Sequence, residues 1–208
     1  MLERLGRKFA RFTTDQVVRR PRLWPLFRWL TRAQFNRIAP AWDQRRSPEA
    51  FASLEAALDA LDLSPRRALD LGTGTGRAAF LVAQRYPEAE VVGVDLAEDM
   101  LVEARKLTPP ELSRRVRFER ADAEELSYPD ASFELVTLAN MIPFFEELAR
   151  VTAPGGAVVF SFSAGPETPI YVPPDVLRSR LSRQGFAEFA DFAAGNGTAL
   201  SARKPREA

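Results

Sequence analysis

Three carboxylates and one amide each close an apolar run in this chain. Asp70 follows Ala68-Leu69, Asp95 follows Val91–Val94, Asp122 follows the run at Val116–Phe118, and Asn140 follows Val136–Leu138. Just past Asp70, glycines recur at alternate positions: Gly72, Gly74 and Gly76, with Thr73 and Thr75 between them. The helix-like Arg77–Ala83 comes next. A glycine turn that opens a helix admits positive φ and bares the first helical amides, so a nucleotide-like ligand can approach the backbone. A carboxylate at such a strand end repels a pyrophosphate and attracts a cation. Asp95 can accept hydrogen bonds from both hydroxyls of a ribose, or it can cap the helix that starts beside it. Asp122 can accept from the exocyclic amine of adenine, or it can be an ordinary loop aspartate.

Other phosphate-binding turns fit less well. The dinucleotide fingerprint G-x-G-x-x-G accommodates Gly72 and Gly74, but Arg77 stands where a small residue is wanted. A P-loop needs Lys followed by Ser or Thr, and neither follows Gly76. A tight strand-to-helix turn that binds nothing is the remaining alternative.

The elements that must position these groups alternate. Strands are expected at Arg67–Leu71, Glu90–Val94, Val116–Glu119, Phe133–Leu138 and Ala157–Phe162. Helices are expected at 76–86, 98–107, 143–151 and 173–184, with Pro154-Gly155-Gly156 as a turn. Phe186–Phe192 and Thr198–Ala202 read as a hairpin around Gly195-Asn196-Gly197. Before them, Ser47-Pro48-Glu49 reads as the cap of a helix through Phe51, Leu54 and Leu58 that ends near Leu63. Regular βα alternation implies a parallel sheet with helices on both faces, and ligands then bind at the carboxyl ends of the strands. Asp70, Asp95, Asp122 and Asn140 all belong to that edge.

With 208 residues and 46% hydrophobic content, the chain can bury one real core plus an extension. It has neither Cys nor His, which removes thiol chemistry, Cys-based zinc sites and the usual general base near neutral pH. No metal is expected. Charge is unevenly spread. Residues 1–46 hold twelve Lys and Arg against three acids, a surplus of nine; the remainder holds seventeen against twenty-five, a deficit of eight. No apolar run approaches the ~20 residues of a membrane span, and charges interrupt any signal-like core. A cytoplasmic protein is expected, peripheral at the membrane if the basic arm touches anionic lipid. Within that arm Trp24, Phe27 and Trp29 alternate with arginines, and Pro21 and Pro25 interrupt any helix before Leu26. The arm reads as a lid over the cleft, as an anionic-membrane contact, or as a helix packing its aromatics on the domain. Nucleic-acid binding is not expected, because no motif accompanies the charge.

Leu69–Gly76, Val94–Leu101, Ala121-Asp122-Ala123 and Val151–Gly156 together resemble the class I S-adenosylmethionine-dependent methyltransferases, and in particular their small-molecule branch, methyltransferase type 11 or 25. The likeness covers roughly residues 64–204. It implies a Rossmann-like, three-layer α/β/α fold around a seven-stranded, mostly parallel sheet with an antiparallel last strand, preceded by a helical extension. The extension would cover residues 1–63 and the cofactor-binding domain 64–208. It also implies S-adenosylmethionine as cofactor, S-adenosylhomocysteine as product and a small, apolar or aromatic methyl acceptor. In that reading Gly72, Thr73, Gly74 and Gly76 run past the methionine part and Asp70 holds its ammonium. Asp95 takes the ribose, and Leu96 and Met100 pack on the adenine. Asp122 and Ala123 meet the adenine edge, while Asn140 and Met141 flank the sulfonium. Ile142 and Phe144 suggest an apolar acceptor wall, or equally the start of a core helix, and Phe35 and Trp42 would close over the methyl group. If a base is needed, Tyr171 or Glu167 would supply it, although each reads as readily as an ordinary loop residue. Relatives that carry histidines after strand four differ from Asn140–Phe145 here. Two rival readings stay open: a catalytically silent S-adenosylmethionine binder that docks a partner through its arm, and a nicotinamide-dependent oxidoreductase.

Overall fold

A computed structural model describes residues 2–43, 47 and 49–206. Seven strands form one sheet: β1 Arg67–Leu71, β2 Glu90–Asp95, β3 Val116–Arg120, β4 Phe133–Ala139, β5 Thr152–Phe162, β6 Ala187–Ala194 and β7 Gly197–Arg203. Their order is β3-β2-β1-β4-β5-β7-β6. β1 to β5 are parallel, and β7 is antiparallel to both its neighbours. The class of fold is the expected one.

Side chains alternate between two cores, as the strand period of two requires. Leu69, Leu71, Val136, Leu138 and Phe160 face α6 Phe145–Val151 and α7 Pro174–Arg183. Ala68, Val91, Leu135 and Val159 face α3 Ala52–Ala60, α4 Arg77–Arg85 and α5 Glu98–Leu107. The direction of strand addition reverses between β1 and β4, and the edge above that switch point is where this topology opens a cleft.

Two helices of the N-terminal extension, whose bounds the sequence-based expectation did not give, precede the sheet: α1 Leu2–Arg19 and α2 Trp24–Ile38. Pro25 does not delay α2. It occupies the first turn, where its missing N–H would have had no helical partner anyway. The hairpin they form is closed by Phe9 and Phe12 against Phe27, with ring centroids 6.4 and 6.0 Å apart.

Three boundaries differ from expectation. α3 starts at Ala52, with Phe51 at its cap and no side-chain capping bond; Ser47 instead accepts the Glu49 N–H. Pro48, part of the expected cap, lies outside the described residues, as do Arg45 and Arg46 of the basic arm. α6 starts at Phe145, two residues later than expected. Pro154-Gly155-Gly156 is strand rather than turn. Gly155 N–H donates to Lys204 and Lys204 N–H to Gly156, and a register shift opposite Phe133–Leu135 absorbs the irregularity.

Candidate cofactor site at the strand edge

The glycine turn joins β1 to α4. Gly72, Gly74 and Gly76 all have positive φ, at 66°, 55° and 83°. Gly76 is the left-handed residue at the N-terminus of α4. The sequence assigned the missing Cβ atoms to ligand approach, but the protein's own side chains use two of them. A Cβ on Gly72 would lie 2.6 Å from Met141 Sδ, and one on Gly76 would lie 2.6 Å from Phe118 Cζ. Thr73 N–H donates to Val94 at the end of β2, which ties the turn to the next strand. Thr73 Oγ1 is buried beside Gly93 with no hydrogen-bond partner.

Asp70 is 1% exposed on β1 and accepts the Thr137 hydroxyl from β4 at 2.8 Å. Its register partner on β4 is that same Thr137. Asp95 ends β2. One carboxylate oxygen accepts Gly74 N–H and the other Ala97 N–H, each at 2.9 Å. Burial pushes the Asp95 carboxyl above the ordinary aspartate value, while the N–H groups of Ala97, Gly74 and Leu96 pull it down. The carboxylate thus ties the glycine turn to the residue before α5, but the expected capping of that helix is not made: its cap is Ala97, with no side-chain capping bond. Met100 is buried on α5 with Ala39 and Ala97, whereas Leu96 is half-buried against the other core, which holds Leu69 and Val94.

Asp122 follows β3 and is engaged from an unexpected direction. Trp24 on α2 donates its indole N–H to both carboxylate oxygens, and Arg28 lies 3.8 Å away. Ala123 is buried next to it. Asn140 sits just past β4 with φ of 56°, an unusual value for a residue other than glycine. Ser163 fixes its amide: Oδ1 accepts the Ser163 N–H at 3.0 Å, and Nδ2 donates to Ser163 Oγ at 3.1 Å. Asp43 reaches the turn as well, accepting Thr75 Oγ1 at 2.7 Å and Arg77 Nε at 2.8 Å.

The four expected acceptor-pocket residues do not form one group. Phe35 and Trp42 stack edge to face at 5.6 Å and pack with Ala97 and Met100. Ile142 and Phe144 belong to the opposite core with Trp24, whose ring meets Phe144 at 5.4 Å. Helix α2 separates them because its inward face touches both walls.

Of the two base candidates, Glu167 is exposed, and its carbonyl accepts from Arg7. Tyr171 packs on Phe162 at 5.1 Å and lines a cavity of about 250 Å³ with Pro174, Leu177 and Leu200. Burial, together with Asp175 and Asp191, pushes its phenol up. A phenol shifted that way stays protonated near neutrality and is a poor base. Among the described residues, no group of three or more His, Cys, Asp or Glu could hold a metal ion.

Sequence reading missed Trp24, Arg28, Asp43, Thr137 and Ser163 as parts of this edge. Trp24 carried a signal, because an aromatic within a basic run was one of the packing alternatives. The others carried none.

The family described as "Methyltransferase domain" matches residues 68–156. The chain is 41% identical over 137 residues to a demethylmenaquinone methyltransferase of Thermus thermophilus, covering 60% of this chain and 62% of that one. It is 42% identical over 146 residues to a malonyl-[acyl-carrier protein] O-methyltransferase of Halorhodospira halophila, covering 66% and 48%. The chain thus spans less than two thirds of either relative's length. A solved S-adenosylmethionine-dependent methyltransferase from Mesorhizobium loti shares the fold, with a TM-score of 0.57 at 22% identity over 75% of this chain and 98% of that one. Taken with the glycine turn and the strand-end acids, these matches identify residues 68–156 as a methyltransferase domain on the fold of the class I S-adenosylmethionine-dependent methyltransferases.

Proposed function

We propose that the chain moves a methyl group from S-adenosylmethionine to a small acceptor that is apolar or aromatic. The observation that carries this reading is the Asp95 carboxylate, pinned at the tip of β2 by Gly74 and Ala97 N–H. Each of its oxygens keeps a further lone pair for a hydroxyl donor. That donor set fits a ribose. The buried Asp70 carboxylate fits a ligand bearing an ammonium and refuses a diphosphate.

When bound, the cofactor supplies an activated methyl on a positively charged sulfur. The chain's own part is to hold and to exclude water. The Gly72–Gly76 turn would take the methionine part, and Asp70 would take its ammonium. Leu96 and Met100 would pack on the base, with Asp122 and Ala123 at its edge. Asn140 and Met141 would border the reacting end, where the Ser163 contacts keep Asn140 in its strained backbone state. Ile142 and Phe144 are packed into the core beside Trp24, so they would border an acceptor only from beneath. With no histidine and a protonated Tyr171, the chain favours an acceptor that arrives nucleophilic without a base from the protein. The name of the Thermus relative suggests a quinone-derived acceptor, and that of the Halorhodospira relative an acyl-carrier-bound one. The indole already seated on Asp122 supports a second reading, in which a closed protein holds the cofactor and turns nothing over.

Calorimetric titration tests the first step. S-adenosylhomocysteine should bind and NADH should not. Asp95→Ala should weaken binding roughly tenfold or more, from the loss of a charge-assisted pair of hydrogen bonds. Unchanged affinity would remove the ribose assignment. Labelled methyl donor offered with phenols, quinols and lipids then separates transfer from silent binding.

A further inference from the structure

We infer that the outer face of the α1–α2 hairpin docks on an anionic lipid surface. Six large apolar side chains are exposed among the described residues, and four of them lie here: Phe12, Leu26, Trp29 and Leu30, at 54%, 70%, 62% and 45% exposure. Their placement follows from helix geometry. At about 100° per residue, Leu26, Trp29 and Leu30 point away from the side on which Trp24 enters the core. One helix therefore presents a buried indole to Asp122 on one side and an unburied one to solvent on the other. Phe12, on α1, is exposed as well, and its ring meets the edge of the half-buried Phe27 between the two helices.

The charge around this face selects its partner. Lys8, Arg19, Arg22 and Arg37 are exposed on the same two helices or their connection, and Asp15 is the one exposed acid among the hairpin's described side chains. The surplus of nine positive charges in residues 1–46 contrasts with a deficit of eight in the rest of the chain. An anionic surface therefore attracts this end of the molecule and repels the other. A Trp and leucines ringed by Arg and Lys suit the headgroup boundary, where the apolar side chains enter and the cations meet phosphate. A second copy of the chain suits the face poorly, since two cationic rims would oppose one another. No helix among the described residues is long and apolar enough to cross a membrane, so the contact lies on the surface.

This docking face stands independently of the methyl-transfer reading. The test incubates the full chain with vesicles of equal parts phosphatidylglycerol and phosphatidylcholine, and with phosphatidylcholine alone, at low and high salt. Expected are co-sedimentation on the anionic vesicles only, its loss at high salt, and a blue shift of tryptophan emission. The pair Leu26→Gln with Trp29→Gln should weaken vesicle binding about tenfold or more, with S-adenosylhomocysteine affinity unchanged. Arg19→Gln with Arg22→Gln should flatten the salt dependence. Absence of salt-sensitive co-sedimentation overturns the proposal, as does vesicle binding that the Leu26/Trp29 pair leaves intact. A concentration-dependent dimer that this pair abolishes, with no vesicle binding, would give the face to a second copy and overturn it too.

Discussion

The indole N–H of Trp24 donates to both carboxylate oxygens of Asp122, at 2.9 and 3.1 Å, across 98 residues of chain. It fastens the N-terminal hairpin to the strand edge, together with Arg11, whose guanidinium donates to the carbonyls of Pro166 and Thr168 after β5. Trp24 is 3% exposed, and Arg28, one turn further along α2, adds a longer-range attraction at 3.8 Å. A charged acceptor makes this hydrogen bond stronger than a neutral one.

Trp24→Phe keeps an aromatic ring against Phe144 and removes the N–H. The expected loss is about 1.5–3 kcal/mol from the hydrogen bond to a charged group, with the smaller ring adding to it. Urea unfolding of the variant beside the parent chain measures it. A loss below about 0.5 kcal/mol would mean that water replaces the indole without penalty.

The turn glycines make a second prediction, because their neighbours differ in freedom. Gly72→Ala and Gly76→Ala both place a side chain at positive φ, costing about 1–2 kcal/mol. Beyond that, the new methyl on residue 72 meets Met141, a flexible chain that can swing. On residue 76 it meets the rings of Phe118 and Phe80, which pack edge to face at 5.9 Å in the core. Gly76→Ala should therefore cost about 1–3 kcal/mol more than Gly72→Ala, the usual range for overpacking. Equal losses in thermal or urea unfolding would show that backbone strain alone decides.

Much of this edge was legible in the chain itself. Apolar runs that stop at Asp70, Asp95, Asp122 and Asn140 declare strand ends, and topology then gathers them. The hairpin was harder to read. In α1 the inward positions include Thr13 and Thr14, so the apolar period is broken where the helix is buried. The links Trp24–Asp122 and Asp43–Thr75 join residues far apart in sequence, and no local pattern encodes such pairs. The purpose of Gly72 and Gly76 was misread for a related reason. Which atom fills the space left by a missing Cβ depends on Met141 and Phe118, and these arrive from the loop after β4 and from β3.

A third prediction concerns pH. Glu147 on α6 accepts Leu126 N–H and Arg150 Nη2 on one oxygen, each at 2.6 Å, and Arg150 Nε on the other at 2.8 Å. Arg150 also donates to the carbonyls of Tyr128 and Leu126, so the pair clamps the β3–β4 connection to α6. Burial pushes the Glu147 carboxyl up, but the hydrogen bonds from Arg150 and Leu126 outweigh it and hold the group below its ordinary 4.5. A carboxyl lowered by folding contributes stability that is fully present above the unfolded value and is lost as pH falls through the folded one. Glu147→Gln should therefore cost about 1.5–3 kcal/mol at neutral pH. The gap to the parent chain should narrow once the pH drops below 4.5, because the parent then loses the charge that the variant never had. Urea midpoints for both proteins across the acid range read this directly, and a gap that stays constant with pH would mean the clamp works by shape rather than by charge.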